Sequence, residues 1–412
     1  MNAYAGSFCG RHADRIIVVA SFVLGLVCRY AARDEVTGDT SEYLLPWYET
    51  AHELGLASLG RTYTNYTPFY SYLLLAVTEL NGLFKPWHLI KAISLVFEFG
   101  CSVVAARLVS TVGTGGVHAP AFAFAAVWLA PTVLFNGPVW GQADALWTLC
   151  VLLSVYFFCR DRPLAGTIAF AAGLSIKAQA VFLGPFIFAL VLRRTIHWMW
   201  LVTIPVVYLA IALPAWLFGQ YLIDIISVYI KQAGTFDRLS MNAANLWLFF
   251  PNSLYGIGVA AGVVLAAVAG LSFSVFVART KLPLKPGQLV IAAAVSLLLM
   301  PFLLPKMHDR YFYAFEVMAI VLACLHPRLI PIALAAQLNG VLAYLAYYGI
   351  AESLLPLAAL GNAWILAELG LFAKQKLTES GTPDAAAFSP ALFMAGLGAF
   401  WATYGLLLSF RA

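Results

Sequence analysis

Charge is scarce in this chain. Asp, Glu, Lys and Arg make up 10% of its 412 residues, while apolar types supply 62% and mean hydropathy is +0.86. Soluble domains carry roughly 25% charged residues, so the composition excludes a soluble globular protein and points to one that lies in lipid. Cysteine is sparse too: Cys9, Cys28, Cys101, Cys150, Cys159 and Cys324 show no CxxC spacing and sit mostly inside apolar runs. That excludes a disulfide framework and a cysteine metal site, and leaves the thiols as small core hydrophobes. Repeats, low-complexity tracts and polar stretches long enough for a soluble domain are also missing. The net charge of +5, from 24 basic and 19 acidic residues, is spread through short loops, which excludes the concentrated basic face of a nucleic-acid binder. No small-residue cleavage site follows the first apolar run, Ile16 to Val27, so it reads as a retained helix.

What is present is a long series of apolar runs. Segments of bilayer-spanning length fall near residues 14–31, 87–109, 118–135, 142–159, 163–178, 179–193, 197–218, 252–278, 288–304, 311–326, 329–349, 355–373 and 389–409. The expected fold is therefore an all-α polytopic membrane protein with about thirteen transmembrane helices. Basic residues recur in alternate loops: Arg11 and Arg15, Arg160 and Arg162, Arg193 and Arg194, Arg279 with Lys281 and Lys285, Arg328, and Lys374 with Lys376. The positive-inside rule makes those loops cytoplasmic. Residues 32–86, 136–144, 219–250 and the 306–310 turn then share the exoplasmic side. The apolar run 67–84 would invert every later loop if it crossed, so it is expected to be an interfacial or half-inserted helix of the first exoplasmic loop. The chain is expected to form one membrane domain, with residues 326–412 as its C-terminal helices.

Charge at a membrane boundary is costly and usually marks function. The turn Lys306-Met307-His308-Asp309-Arg310-Tyr311 sits between apolar runs; its two fixed cations and a histidine suit an anion, and phosphate is the anion most available in lipid. In residues 37–50, Asp39 and Glu42 lie three apart and fit either a helix cap with a capping box or a general base at the mouth of a cavity. Tyr63 to Tyr70 packs four aromatics into eight residues, which serves as a membrane-belt anchor or as a stacking platform for a sugar. The Gly- and Pro-broken turn from Asn136 to Asp144 carries Trp140 and Gln142; Asp144 is a helix cap or part of a hydrogen-bonding wall around a polyhydroxylated ligand. Lys177, in the middle of an apolar stretch, needs an anion, either a ligand phosphate or an acid such as Asp144. Residues 221–250 read as an amphipathic surface helix or lid.

Read in order, TGDTSEYLLPWYE, TNYTPFYSYLL, GPVWGQADALWT, GLSIKAQA and FLLPKMHDRYFY resemble the GT-C superfamily of membrane glycosyltransferases. Within it, the chain is similar to the second mannosyltransferase of GPI-anchor synthesis and its prokaryotic relatives, and more distantly to endoplasmic-reticulum glucosyltransferases that use dolichyl-phosphate glucose. The likeness runs from residue 1 to about 325; the last ninety residues carry no signature. The family's exoplasmic acid falls on Asp39. Its Met-His-acid-Arg-Tyr turn falls on Met307 to Tyr311, with Asp309 where Glu is common. Phe69 stands where relatives often have a second proline.

The resemblance implies a polyprenyl-phosphate sugar donor, transfer with inversion to a lipid-linked or glycan acceptor, and no nucleotide sugar. Arg310, His308, Lys306 and Lys177 are then expected to hold the donor phosphate, with Asp39 as the base. Glu42, Trp47, Asn65, Tyr66, Trp140, Gln142, Asp144, Asp309 and Tyr311 are expected around the sugar or acceptor. No metal or other cofactor is expected, since side chains can neutralise a monophosphate. With no endoplasmic-reticulum retention signal and only short loops, a bacterial inner membrane with a periplasmic site is expected. The competing expectation is a lipid or glycolipid transporter, whose charges would gather near the midplane in repeat-related positions.

Overall fold

The computed structural model describes residues 2–281 and 283–378; the apolar segment 389–409 lies outside the described residues. In lipid every backbone N–H and C=O must be paired within the chain, and the apolar runs resolve as helices. These are α1 (Asn2–Ala31), α2 (Leu45–Leu54), α3 (Pro68–Thr78), α4 (Pro86–Val112), α5 (Ala119–Trp128), α6 (Pro131–Leu134), α7 (Asp144–Cys159) and α8 (Pro163–Ile176) in the first half. α9 (Gly184–Leu192), α10 (Thr203–Leu217), α11 (Leu222–Gly234), α12 (Tyr255–Arg279), α13 (Pro286–Leu303), α14 (Tyr313–Leu325), α15 (Ile330–Tyr347) and α16 (Leu355–Thr378) follow. Proline opens several of them, where its missing N–H costs no hydrogen bond. Among the described residues, 7 helices are long and apolar enough to cross a membrane, and several apolar helices are shorter. α14 is one of the short ones: at 13 residues it spans roughly 20 Å, and all of it is buried between α4, α5, α7, α13 and α15.

Contacts between successive helix ends divide the bundle into two faces. At one, Asp34 beside the end of α1 meets Lys85 and His88 at the start of α4, 3.3 and 3.0 Å away. Asp144 opening α7 meets Lys177 closing α8, and Tyr347 closing α15 reaches Asp39 after α1. At the other, Asp14 meets His118 at 2.8 Å, Arg193 donates to the Val277 and Thr280 carbonyls, Gln288 to the Lys376 carbonyl, and Arg328 to Gln375. The basic residues of alternate loops thus gather at the second end, and every candidate chemical group at the first.

Between Asp34 and Lys85 the chain leaves and returns at the same end. It makes a π-helical turn (Thr40–Leu44), α2, a 3₁₀ turn (Gly55–Gly60) and α3. α3 has 11 residues and reaches roughly 16 Å, about half a hydrocarbon core, so it is too short to cross. A stripe of small residues on α12, Gly258, Gly262, Ala266, Gly270 and Ser274, is buried against its neighbours. A Cβ at Gly262 would lie 2.5 Å from the Trp247 ring; only glycine permits that approach. The helical fold carries one small sheet. Strand β1 (Ser240–Met241) pairs in parallel with β2 (Met307–His308), extended by the Lys306 and Asp309 amides donating to the Leu239 and Met241 carbonyls at 2.8 and 3.1 Å.

Candidate active site

Three acids and two cations converge at the first end. Asp39 has helical backbone angles and makes no cap hydrogen bond. Its carboxylate turns inward instead. Trp140 Nε1 and Gln142 Nε2 donate to Oδ2 at 3.1 and 2.7 Å, and the Tyr347 hydroxyl donates to Oδ1 at 2.7 Å. The capping-box reading of Asp39 and Glu42 therefore falls: the backbone never leaves the helical region, and Glu42 is exposed. Asp144 is not a cap either; the cap position is Ala143, with no side-chain bond. Asp144 is fully buried and accepts from Lys177 Nζ at 2.6 Å and Trp147 Nε1 at 3.1 Å on Oδ1, and from Asn136 Nδ2 at 3.0 Å on Oδ2. Lys177 thus has the acid its apolar surroundings demand, and its ammonium also lies 5.0 Å from the Tyr66 ring centroid.

Arg310 stands between the acids. Its Nη1 is 3.7 Å from Asp39 and 3.5 Å from Asp309, its Nε is 3.5 Å from Asp144, and its guanidinium lies 5.3 Å from the Trp140 ring centroid. None of these contacts is short, and Nε makes no hydrogen bond among the described residues. The cation is surrounded but loosely held.

The turn that carries it has unusual electrostatics. Burial, with a push from Asp39 and Asp144, drives the Asp309 carboxyl up to about 7 despite the neighbouring Arg310. Burial and the cations Arg310 and Lys177 drive His308 down to about 3, so its imidazole is neutral at physiological pH and adds no charge. Lys306 has a left-handed backbone, φ 63°, that turns its ammonium to the Ala233 carbonyl at 2.6 Å and the Tyr255 hydroxyl. It closes the C-terminal end of α11, where a cation meets free carbonyls. With His308 neutral, Lys177 and Arg310 face two carboxylates and the half-titrated Asp309. The cluster is close to neutral rather than the cationic clamp expected from residue types.

The aromatic residues form two ledges. Trp47 lies edge-on to Tyr66 and Tyr70, with ring centroids 5.4 and 6.3 Å away. Trp140 packs against Tyr347 at 4.4 Å, Tyr344 at 5.5 Å and Tyr348 at 5.6 Å. Tyr311 contacts His308 at 5.1 Å. Asn65 is exposed, and its carbonyl accepts from Gln232 of α11. Among the described residues no group of three or more His, Cys, Asp or Glu is placed to hold a metal ion.

No protein-family model matches this chain, and no curated protein does. A solved structure does match: ArnT from Cupriavidus metallidurans, determined bound to undecaprenyl phosphate, with a TM-score of 0.51 and 18% identity over 87% of this chain and 76% of ArnT. The likeness is one of fold: the helices are arranged as in ArnT. In this ArnT-like frame the structure unites Asp39, Trp140, Gln142, Asp144, Lys177, Asp309 and Arg310 at one bundle end. It sets Lys306, Glu42 and Asn65 on other contacts or in the open. Sequence reasoning missed Tyr347, Asn136 and Trp147. The AYLAYYG run, residues 343–349, was the available signal for Tyr347, but three tyrosines in an apolar helix look like a membrane belt.

Proposed function

We propose that the protein is an inverting glycosyltransferase that moves a hexose, mannose favoured, from a polyprenyl-phosphate donor to an acceptor hydroxyl at the exoplasmic edge of the bilayer. The carrying observation is the juxtaposition of Asp39, held by three donors, with an under-bonded Arg310 within 3.7 Å at one bundle end. The likeness to a structure with undecaprenyl phosphate bound supports a polyprenyl-phosphate ligand; the motifs shared with the second GPI mannosyltransferase favour mannose.

In this reading the lipid stays in the bilayer while its phosphate takes the contacts Arg310 now shares loosely among three acids. A guanidinium binds phosphate in a bidentate way, and it stabilises the charge that grows as the leaving group departs. The acceptor oxygen bonds to the anomeric carbon. The bond from that carbon to the phosphate oxygen breaks with its electron pair on phosphate, and the hydroxyl proton passes to Asp39. Lys177, locked to Asp144, fixes the floor of the site, and the Trp47–Tyr66 ledge offers a face for the sugar.

Asp39→Asn tests this directly. The amide keeps the size of the side chain but removes the proton acceptor, which contributes ~10²–10⁴-fold to rate. Transfer from a synthetic polyprenyl-phosphate mannose in detergent should fall by that factor at unchanged thermal stability. Retention of more than about a tenth of turnover is below the usual contribution of a base and would remove Asp39 from the role. Sidedness follows from the same reading: Thr40→Cys should react with an impermeant maleimide in sealed cells and Arg194→Cys should not. The reverse pattern would invert the topology.

A further inference from the structure

Asp39 is reached by a residue from the part of the chain that carries no recognisable motif. Tyr347 closes α15, and its hydroxyl lies 2.7 Å from Asp39 Oδ1. Trp140 and Gln142 both donate to Oδ2, with Arg310 3.7 Å from the same atom. A carboxylate oxygen offers about two lone-pair sites. Oδ2 is therefore filled by its two donors, whereas Oδ1, with one donor, keeps a free site. Oδ1 is thus the atom open to a proton from the acceptor, and Tyr347 is its sole partner among the described residues. A phenol ordinarily titrates near 10, so at neutral pH it stays a donor and does not compete as a base.

We infer that Tyr347 is a positioning residue for the proposed transfer: its hydroxyl, steadied by the close contact of its ring with Trp140, orients Asp39 so that the unfilled site of Oδ1 faces the acceptor. The inference rests on the proposed function and adds to it that the C-terminal helices take part in the reaction. The Tyr347 ring is held from two sides, by Trp140 with centroids 4.4 Å apart and by Tyr348 at 5.3 Å, so its hydroxyl has little freedom to swing away. The charged and titratable groups facing Asp39 are Arg310 and Tyr347, with Asp309 and Asp144 on the far side of Arg310.

The test is Tyr347→Phe in the detergent transfer assay, with kcat and donor KM measured from pH 4 to 8. The ring and its contacts stay; the donor goes. Because a hydrogen bond to the charged form favours that form, its loss should move the acid limb of kcat/KM up by about one pH unit. Loss of orientation should lower kcat at least fivefold with donor KM within twofold. Tyr344→Phe is the control, since that hydroxyl lies beside Asn136 and makes no hydrogen bond to Asp39 although its ring packs on the same Trp140; it should leave the acid limb unchanged. If the Phe variant does not accumulate, Tyr347→Met carries the same expectation. An acid limb and kcat within error of wild type in a folded donor-less variant, or equal shifts in the Tyr344 control, would overturn the inference. Failure of the wild-type protein to transfer any polyprenyl-phosphate sugar would instead overturn the proposed function.

Discussion

Two buried arginines in this protein show how differently the same side chain can be held. Arg29, on α1, makes hydrogen bonds with all three of its nitrogens: Nε and Nη2 to Glu98 at 3.0 and 2.8 Å, and Nη1 to the Gly25 and Trp128 carbonyls at 3.1 Å. Its guanidinium also lies 3.6 Å from the Trp128 ring centroid. Arg310 touches three carboxylates at 3.5–3.7 Å and leaves Nε without a hydrogen bond. Burial demands compensation for both, yet only Arg29 has a fully formed set of partners. On the proposed function, the difference separates a cation that holds helices together from one left available to an anion. A saturated guanidinium has nothing left to offer a ligand; a loose one can exchange acids for phosphate at small cost.

Paired truncations should break the comparison open. Arg310→Ala should lower donor kcat/KM by ~10²–10³, the usual loss for one donor aimed at developing charge, and leave thermal unfolding nearly unchanged. Arg29→Ala should do the opposite. It strands Glu98 as a buried, unpaired acid, which costs roughly 3–5 kcal/mol, while the fraction that folds should keep a normal donor KM. Arg29→Met combined with Glu98→Leu should recover most of that stability, because an apolar pair of similar volume often matches a buried ion pair. Thermal shift and initial rates on the same preparations decide it; a large stability loss in Arg310→Ala would place that residue with Arg29 as a strut.

A smaller effect sharpens the same contrast through pH. Asp309 sits at about 7, above its ordinary value near 3.9, so the folded protein holds this proton more tightly than the unfolded chain. Its contribution to stability is complete below the ordinary carboxylate range and is lost as pH rises through about 7. The same ionisation gives Arg310 one more competing carboxylate. Donor affinity should therefore fall several-fold between pH 6 and 8, and Asp309→Asn should flatten that dependence while raising affinity at pH 8. An unchanged slope in the Asn variant would assign the pH dependence to another group.

Much of this site was legible from residue order because membrane physics is strict. Apolar runs had to become helices, so their positions followed from length. Charges at their ends stood out, which found Asp39, Asp144, Lys177 and Arg310. What stayed hidden were the relations that only tertiary structure creates. In the sequence a cap is one of two readings for each acid, for Asp39 because Glu42 three residues on resembles a capping box and for Asp144 because it opens a helix, whereas their real donors, Trp140, Tyr347 and Asn136 among them, come from other turns of the fold. Lys306 looked like a phosphate ligand because it neighbours His308 and Arg310; its left-handed backbone aims it at α11. Tyr347 is an ordinary belt tyrosine until α15 is docked against the first loop.

The short ladder between Ser240–Met241 and Met307–His308 bears on redesign. Residues 222–238 form a helix and loop that are largely exposed, a natural place to graft a foreign segment. Ser240 and Met241 are stitched to the backbone beside Arg310, so a register slip of one position there would be inherited by the 306–310 turn. A graft that ends before Leu239 keeps the ladder but must still supply the Ala233 carbonyl that receives Lys306 and the Phe236 ring that packs on His308; one that runs through Met241 disturbs the backbone beside Arg310 as well.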